Sequence, residues 1–152
     1  MMNPPFRYFL RVRYGECDAQ KVVFNSRYGD YVELATTEFF RALGFGDALV
    51  DGRLDYQLVR QVTQWRAPAR FDDVLMAEVS TQHIGTTSFR LRVDIEHAGD
   101  GRHLADIDTT YVMVNDRLEK TPVPAEVRDA LHQGAPGQSA NHAGGPTAGP
   151  RD

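Results

Sequence analysis

The feature that most constrains the fold is one long amphipathic helix that follows a short alternating strand and a loop, within residues 11–44. Asn25 and Ser26 are both good N-cap residues, so the sequence predicts that the helix begins there. Gly44 stands where a glycine commonly ends a helix. Between these points, apolar residues recur at three- and four-residue steps: Tyr28, Tyr31, Val32, Ala35, Phe39, Ala42 and Leu43. The helix therefore has one apolar face that needs a large apolar surface to cover it.

The loop before this helix carries an acidic residue, Asp18, between Cys17 and Ala19. The predicted helix begins a few residues later. A helix N-terminus offers free backbone N–H groups and the positive end of the helix dipole, and together these stabilise negative charge. A carboxylate close to such a terminus is a candidate for chemistry in which a substrate oxygen becomes negative.

Alternating apolar and polar residues predict five strands: 6–14, 54–65, 74–84, 88–97 and 104–114. Residues 45–53 are predicted to be a connection, residues 98–102 a hairpin turn, and residues 123–132 a short final helix. The order is therefore one strand, the long helix, and four strands in succession. This order predicts an α+β fold in which a helix packs against one face of an antiparallel sheet.

The composition changes near the end of the chain. Residues 134–152 consist mainly of Gly, Ala, Pro and polar residues. Such a segment buries too little apolar surface to offset the entropy lost on ordering, so it is predicted to be a disordered tail. Residues 1–133 are predicted to form a single domain, which suits a chain of 152 residues with 41% hydrophobic residues.

Charge and composition argue against several classes of protein. A net charge of −4 disfavours nucleic acid as the main partner. The single cysteine, Cys17, allows no internal disulfide and suits a reducing cytoplasm, where we expect the protein to act. No apolar segment has the length of a membrane span or the form of a signal peptide, so neither is expected. The histidines lack metal-ligand spacing, so no metal site is predicted.

Several stretches resemble the hotdog-fold acyl-CoA thioesterases of the 4-hydroxybenzoyl-CoA thioesterase type, including the Tol–Pal-associated group. The first stretch runs from the first strand into the long helix, and the residues that match are Arg11, Val12, Tyr14, Glu16, Asp18, Ala19, Val22, Val23, Tyr28, Tyr31, Glu33, Ala35, Thr37, Glu38 and Phe39. Residues 65–73 resemble the family's Y-x-x-P-A-x-x-D-D signature, and residues 120–124 its closing segment. The resemblance covers roughly residues 6–132.

This resemblance implies a hotdog fold, in which a five-stranded antiparallel sheet wraps around a long central helix. It implies hydrolysis of the thioester of an acyl-CoA or an acyl-carrier protein, without a cofactor. It also implies a homodimer or tetramer with the active site at a subunit interface, which suits a sheet with an unpaired edge strand.

Asp18 occupies the position of the catalytic acid in this resemblance, where it acts either as a general base or as a nucleophile. The helix N-terminus near Asn25 would polarise the thioester carbonyl. The predicted substrate-binding residues lie in the loop, the helix and the start of the fourth strand: Val23, Phe24, Asn25, Tyr28, Glu33, Thr87 and Ser88. Ordinary structural roles, such as a solvated loop acid for Asp18 or a plain helix cap for Asn25, remain open alternatives.

Two positions depart from the family pattern. The family has a glycine just before the apolar pair, where this chain has Lys21, and lysine tolerates positive φ poorly, so the loop backbone is free to differ. Some family members carry basic residues before Ser88 that meet the CoA phosphates, whereas this chain has Gly-Thr-Thr at 85–87. The phosphate contacts therefore stay open, with generic candidates at Arg60, Arg66, Arg70, Arg90 and Arg92.

Two other interpretations have to be weighed against Asp18 as the reactive group. Cys17 suggests a thiol nucleophile, but no motif places a histidine beside it, so we discount it. A non-catalytic hotdog protein that binds acyl thioesters or a protein partner is the alternative to an enzyme, because a fold alone does not fix function. Asp18 favours the enzyme, since a binding module has no need of it.

Overall fold

The computed structural model describes residues 3–145 and contains one sheet of six strands with a long helix against it. The strands are β1 (Phe6–Arg11), β2 (Tyr56–Trp65), β3 (Val74–Ile84), β4 (Ser88–His97), β5 (His103–Met113) and β6 (Ser139–Asn141). The helices are α1 (Arg27–Ala42), α2 (Gly46–Asp51) and α3 (Ala125–Gln133). The predicted α+β class is confirmed, with one strand more than the five expected.

The strand order across the sheet is β2-β5-β4-β3-β1-β6. Neighbouring strands run antiparallel, except that β6 runs parallel to β1. The predicted bounds of β3 and β4 agree with the structure, and those of β5 differ by one residue at each end. The sheet therefore has two edges, β2 on one side and β6 on the other.

Helix α1 packs on the sheet through the apolar face that the sequence predicts. Its buried residues are Tyr28, Tyr31, Val32, Ala35, Thr36, Phe39 and Phe40. The inward residues of β4 are fully buried as well: Phe89, Leu91, Val93 and Ile95. Each large apolar side chain buried in this way contributes roughly 1.5–3 kcal/mol, so this layer fixes α1 on the sheet. Within residues 3–145 no helix, α1 included, is both long and apolar enough to cross a membrane.

Several element boundaries differ from the sequence-based prediction, among them the start of β2, at Tyr56 rather than at residue 54. β1 ends at Arg11 rather than at residue 14, because Tyr14–Glu16 forms a turn of 3-10 helix. Part of the predicted connection forms α2, and Gly52 follows it with a φ of 83°. The last helix begins at Ala125, because Pro124 before it keeps an extended backbone with ψ 147°.

The prediction of a disordered tail is wrong for residues 134–145, which pack against the domain. β6 pairs with β1, and just beyond it the His142 N–H donates to the Phe9 carbonyl at 2.8 Å. Ala135 is 2% exposed. Small residues let the backbone approach the sheet edge closely enough to satisfy its hydrogen-bonding groups there, which composition alone does not reveal. Residues 146–152 of the predicted tail lie outside the described residues.

β2 forms the other edge of the sheet and exposes large apolar side chains. Leu58, Val59, Val62 and Trp65 are 52%, 58%, 39% and 48% exposed. An edge strand with unpaired backbone groups is a template for pairing with another chain, and exposed apolar residues strengthen that tendency. This edge is therefore the candidate surface for self-association.

Candidate active site

The loop that carries Asp18 is a tight hairpin held by its own backbone. Cys17 and Val23 form an antiparallel bridge at its base. The Asp18 N–H donates to the Val22 carbonyl, and the Lys21 N–H donates to the Asp18 carbonyl, each at 2.9 Å. The carboxylate therefore projects from a short turn that backbone hydrogen bonds hold, rather than from a loose loop.

Lys21 has a φ of 66°, in the left-handed region that glycine adopts most easily. The sequence leaves open whether a lysine at this position changes the loop. In the structure, Lys21 itself adopts the left-handed conformation. For a residue with a Cβ this conformation costs roughly 1–2 kcal/mol. The hydrogen bonds of the hairpin therefore hold Lys21 in a strained conformation.

Asp18 is half-buried at a cavity of about 320 Å³ with aromatic walls. The lining residues are Tyr14, Cys17, Asp18, Lys21 and Phe71. Tyr14 and Phe71 meet edge to face with ring centroids 5.7 Å apart, and they remain 80% and 54% exposed. One carboxylate oxygen of Asp18 accepts the Gln20 N–H at 2.8 Å. The other oxygen has no hydrogen-bond partner within residues 3–145, so it is available to a water or a substrate.

Cys17 lies at the same cavity, but its environment disfavours the thiolate. Burial raises the pKa of the Cys17 thiol, and the carboxylates of Glu16 and Asp18 raise it further. The thiolate, not the thiol, is the nucleophilic form of cysteine. The raised pKa therefore disfavours Cys17 as the reacting group.

The start of α1 leaves two backbone donors without an acceptor within residues 3–145. Ser26 occupies the cap position, but its side chain makes no capping hydrogen bond. The N–H groups of Arg27, Tyr28 and Gly29 instead donate to carbonyls three residues earlier, at 2.9, 3.3 and 3.3 Å. In the part of the chain that the structure describes, neither the Asn25 N–H nor the Ser26 N–H has an acceptor. The predicted helix start is thus correct to within two residues, and the free donors belong to Asn25 and the cap residue Ser26 rather than to the first helical turn.

Val23, Asn25 and Tyr28 meet at a second cavity of about 270 Å³. The end of β2 and the residues that follow it close this cavity. Its lining residues are Val22, Val23, Asn25, Tyr28, Trp65, Arg66, Ala67 and Pro68. The Tyr28 and Trp65 rings lie edge to face, 6.3 Å apart. Burial raises the pKa of Tyr28, so its hydroxyl stays protonated. The structure therefore brings together three of the predicted substrate-binding residues.

The remaining predicted site residues lie apart from these two cavities. Phe24, between them in sequence, is 52% exposed. Glu33 lines a third cavity of about 250 Å³, on the side of α1 that faces β2. Thr87 and Ser88 lie at the start of β4, where the Thr87 carbonyl accepts the Met113 N–H at 2.8 Å. One copy of the chain does not join these side chains to the cavity of Asp18.

Sequence reasoning missed two features of the site. The exposed pair of Tyr14 and Phe71 was missed because alternation puts Tyr14 inside the first strand, and no spacing links it to Phe71. Glu16 was noted only as a matching residue, yet it is 6% exposed, beside the loop. An acid two residues before Asp18 in the matching stretch was the one available signal for Glu16.

Asp94, His103 and Asp106 form a cluster whose potential ligand atoms lie within 4.8 Å of one another. Arg66 donates two hydrogen bonds to Asp106, at 2.7 and 3.0 Å, and Arg92 pairs with Asp94 at 2.9 Å. Two guanidinium groups oppose a bound cation, so we interpret the cluster as an ion-pair network. Arg66 and Arg92, two of the generic phosphate candidates, are engaged in this network.

A model of the thioesterase-like superfamily matches residues 12–131. The chain belongs to this superfamily. A putative esterase from Aquifex aeolicus is 33% identical over 129 residues, which cover 84% of this chain and 98% of that protein. The acyl-CoA thioester hydrolase YbgC of Escherichia coli is 36% identical over 78 residues, which cover 51% of this chain and 57% of YbgC. The predicted family is therefore confirmed.

Solved structures agree with this assignment. A gentisyl-coenzyme A thioesterase superposes with a TM-score of 0.74 at 28% identity, over 83% of this chain and 98% of that one. A 4-hydroxybenzoyl-CoA thioesterase in complex with 4-hydroxybenzoyl-CoA gives a TM-score of 0.74 at 20% identity, over 82% of this chain and 96% of that one. The second likeness concerns the fold alone. The predicted hotdog fold is confirmed.

Proposed function

We propose that this chain hydrolyses the thioester of an acyl-CoA, with Asp18 as the group that activates the attack. The observation that carries the proposal is the half-buried Asp18 carboxylate, with one oxygen unpartnered, at an aromatic-walled cavity. Its setting in a member of the thioesterase-like superfamily adds support. YbgC and the gentisyl-coenzyme A thioesterase carry names that point to the same reaction class.

The reaction follows one of two routes. As a general base, Asp18 takes a proton from water while the oxygen adds to the thioester carbonyl carbon. As a nucleophile, its carboxylate adds to that carbon and forms a mixed anhydride, which water then hydrolyses. In both routes the C–S bond breaks, the thiolate of coenzyme A leaves and takes a proton, and the acid is released. Water is the only co-reactant, so the reaction needs no cofactor.

The developing oxyanion needs a donor that is already in place. The Asn25 N–H is suited to this role because it has no acceptor in the described part of the chain. A backbone donor with no protein acceptor can bond to the substrate oxygen without breaking a hydrogen bond of the fold. Val23 and Tyr28, at the same cavity, then pack against the part of the substrate nearest the carbonyl.

We further propose that the active unit is a homodimer in which the β2 edges of two copies pair. The exposed apolar residues of β2 support this pairing. Two-fold symmetry would let the β2 strands of the two copies bond to each other, so that neither keeps unpaired backbone groups. The cavity of Glu33 includes Leu58 and Gln61 of β2, so the partner would border it. Glu33 of one copy would then assist water at Asp18 of the other, with Thr87 or Ser88 near the substrate's pantetheine arm. Pairing of two dimers into a tetramer is compatible with this unit.

Release of free thiol from a panel of substrates tests the function. The panel contains acyl-CoAs with short, long and aromatic acyl groups, together with an acyl-carrier protein, because the cytoplasmic substrate we expect can come from either carrier. We expect hydrolysis by the wild type and a loss of about two to four orders of magnitude in kcat for Asp18→Asn. Cys17→Ala is the matched control in the same loop and should remain active.

Two outcomes would contradict this proposal. Full activity of Asp18→Asn, or loss of activity in Cys17→Ala alone, would exclude the mechanism. A wild type that binds acyl-CoA in calorimetry but releases no thiol from any substrate would make the chain a non-catalytic binding module.

A further inference from the structure

We infer that Glu16 is a positioning residue that joins the Asp18 hairpin to helix α1 through Tyr31. The inference rests on the proposed function in one respect, because it concerns the placement of the carboxylate proposed to react. It adds a residue that does not touch the substrate but determines where Asp18 stands relative to the start of α1.

Glu16 is buried and its carboxylate is fully occupied. Oε1 accepts the Arg13 N–H at 2.8 Å and the Tyr31 hydroxyl at 2.9 Å. Oε2 accepts the Arg13 Nε at 3.0 Å. The side chain is therefore fixed in one orientation by donors from two parts of the chain, the turn before the hairpin and the second turn of α1.

The backbone of Glu16 continues directly into the hairpin. Its carbonyl accepts the Phe24 N–H at 2.9 Å, and the next residue, Cys17, pairs with Val23. Backbone hydrogen bonds thus join the two strands of the hairpin next to Glu16, and Asp18 lies one residue beyond the paired Cys17. Any shift of Glu16 moves the base of the hairpin and the carboxylate with it.

Tyr31 supplies the contact with α1. It is 1% exposed, and burial followed by the contact with Glu16 raises its pKa, so its hydroxyl stays protonated and donates. Burial also favours the neutral form of Glu16, but the hydrogen bonds from Arg13 and Tyr31 outweigh it and lower the pKa of Glu16. A charged acceptor meets a neutral donor at neutral pH, which is a strong form of hydrogen bond.

This contact holds the Asp18 carboxylate in place relative to the Asn25 N–H, and the proposed reaction needs both groups at one carbonyl. The free Asn25 N–H stands at the start of α1, whereas Asp18 stands on the hairpin. Without a fixed link the two groups would move separately, and a misplacement of about 1 Å can cost roughly 100-fold in rate. The bond from Tyr31 to Glu16 links the element that carries the reacting carboxylate to the element that carries the oxyanion donor.

The test compares Glu16→Ala and Tyr31→Phe with a matched control, Asp51→Asn. Asp51 accepts the same two kinds of hydrogen bond from a nearby arginine, with Arg53 N at 2.9 Å and Arg53 Nε at 2.7 Å, but it is exposed and far from the hairpin in sequence. We expect kcat to fall about 10- to 100-fold in the first two variants, with KM changed less than about twofold. Asp51→Asn should keep both constants.

Glu16→Gln separates positioning from the charge of Glu16. Its amide oxygen can still accept the two bonds that now meet at Oε1, from the Arg13 N–H and the Tyr31 hydroxyl. Only the bond to the exposed Arg13 guanidinium is lost. We therefore expect Glu16→Gln to keep most of the kcat that Glu16→Ala loses, at temperatures well below the melting temperature of each variant. Equal losses in Glu16→Gln and Glu16→Ala would overturn the inference.

Hydrogen–deuterium exchange tests the same link without any activity. Peptides that cover residues 17–24 should exchange at least about tenfold faster in Glu16→Ala and Tyr31→Phe than in the wild type, with no change in Asp51→Asn. Unchanged exchange in this segment would overturn the inference even if activity falls. If the wild type hydrolyses no thioester, the proposed function fails, while faster exchange would still support Glu16 as the residue that fixes the hairpin.

Discussion

The hydroxyl of Tyr8 lies 2.8 Å from Nδ1 of His142, and this contact joins the first strand of the sheet to the segment after the last. Tyr8 is 1% exposed. Burial, with a smaller contribution from the Glu38 carboxylate, raises the pKa of Tyr8 to about 12. The Tyr8 hydroxyl therefore stays protonated and shares a hydrogen bond with His142, whose ring also meets the Tyr8 ring edge to face at 5.0 Å.

The first prediction concerns this pair. His142→Ala leaves the buried Tyr8 hydroxyl without its hydrogen-bond partner, so we expect a loss of about 1–3 kcal/mol in the free energy of unfolding. Tyr8→Phe removes the hydroxyl, and the double variant should lose less than the sum of the two single losses. Urea unfolding of all four proteins gives the coupling energy. A coupling energy of zero would mean that the two side chains do not interact in solution.

The second prediction concerns the whole C-terminal segment. Truncation after Gln133 removes β6 and the carbonyls of Ala143 and Gly144 that accept bonds from Arg11. Each lost hydrogen bond is worth about 0.5–1.5 kcal/mol, so we expect the midpoint of urea unfolding to fall, with a total loss of roughly 2–4 kcal/mol. Truncation after Gly145 retains every described contact and is the control. Equal stability of the two truncations would show that the contacts of residues 134–145 add nothing to stability, as expected of a disordered tail.

The sequence predicts well those parts of the fold that depend on near neighbours. The apolar face of α1, from Tyr28 to Phe39, follows from residues three and four apart, and the alternation in β4 follows from residues two apart. The sequence also predicts that Asp18 lies in a loop close to a helix start, because loop and helix are neighbours in one stretch. The hairpin around Asp18 closes over a few residues, so this placement depends only on near neighbours.

The remaining features depend on contacts between distant residues. β6 was missed because its pairing with β1 joins opposite ends of the chain, and its small residues carry no apolar period. The contact of Tyr14 with Phe71 and the bond of Tyr31 to Glu16 have no spacing that a sequence could reveal. The catalytic role of Asp18 and the substrate-binding roles assigned to the other site residues stay predictions.

The third prediction concerns pH. Burial tends to raise the pKa of Asp106, but the hydrogen bonds from Arg66 and the charges of His103 and Arg92 outweigh it and lower that pKa. The folded-state pKa lies below the unfolded value of about 3.9, so the stabilisation is present above that pH and is lost as the pH falls through the folded-state pKa. Asp106→Asn should be less stable than the wild type at pH 7, and the difference should shrink toward pH 3. Urea unfolding across this range measures it, and a constant difference would contradict the prediction.

The fourth prediction concerns the strained residue of the hairpin. Lys21 has a φ of 66°, so Lys21→Gly relieves a conformation that costs roughly 1–2 kcal/mol, while glycine adds up to about 1 kcal/mol of unfolded-state entropy. We expect Lys21→Gly to be as stable as the wild type or up to about 1 kcal/mol more stable. Gln20→Gly, one residue earlier and without positive φ, should be destabilised by about 0.5–1 kcal/mol. Thermal unfolding compares them, and an equal loss in both variants would show that position 21 carries no strain.

The fifth prediction concerns the edge strand β2, on which the proposed dimer depends. Val59 is 58% exposed on this strand, and Val59→Lys places a charge where two copies would meet. We expect the wild type to sediment as a dimer or tetramer at micromolar concentration, and Val59→Lys to shift toward the monomer and lose activity with it. Val50→Lys is the control, because Val50 is 84% exposed on α2, outside the edge strand itself. A wild type that is monomeric and fully active would exclude a shared active site, and a Val59→Lys variant that stays assembled would exclude pairing through β2.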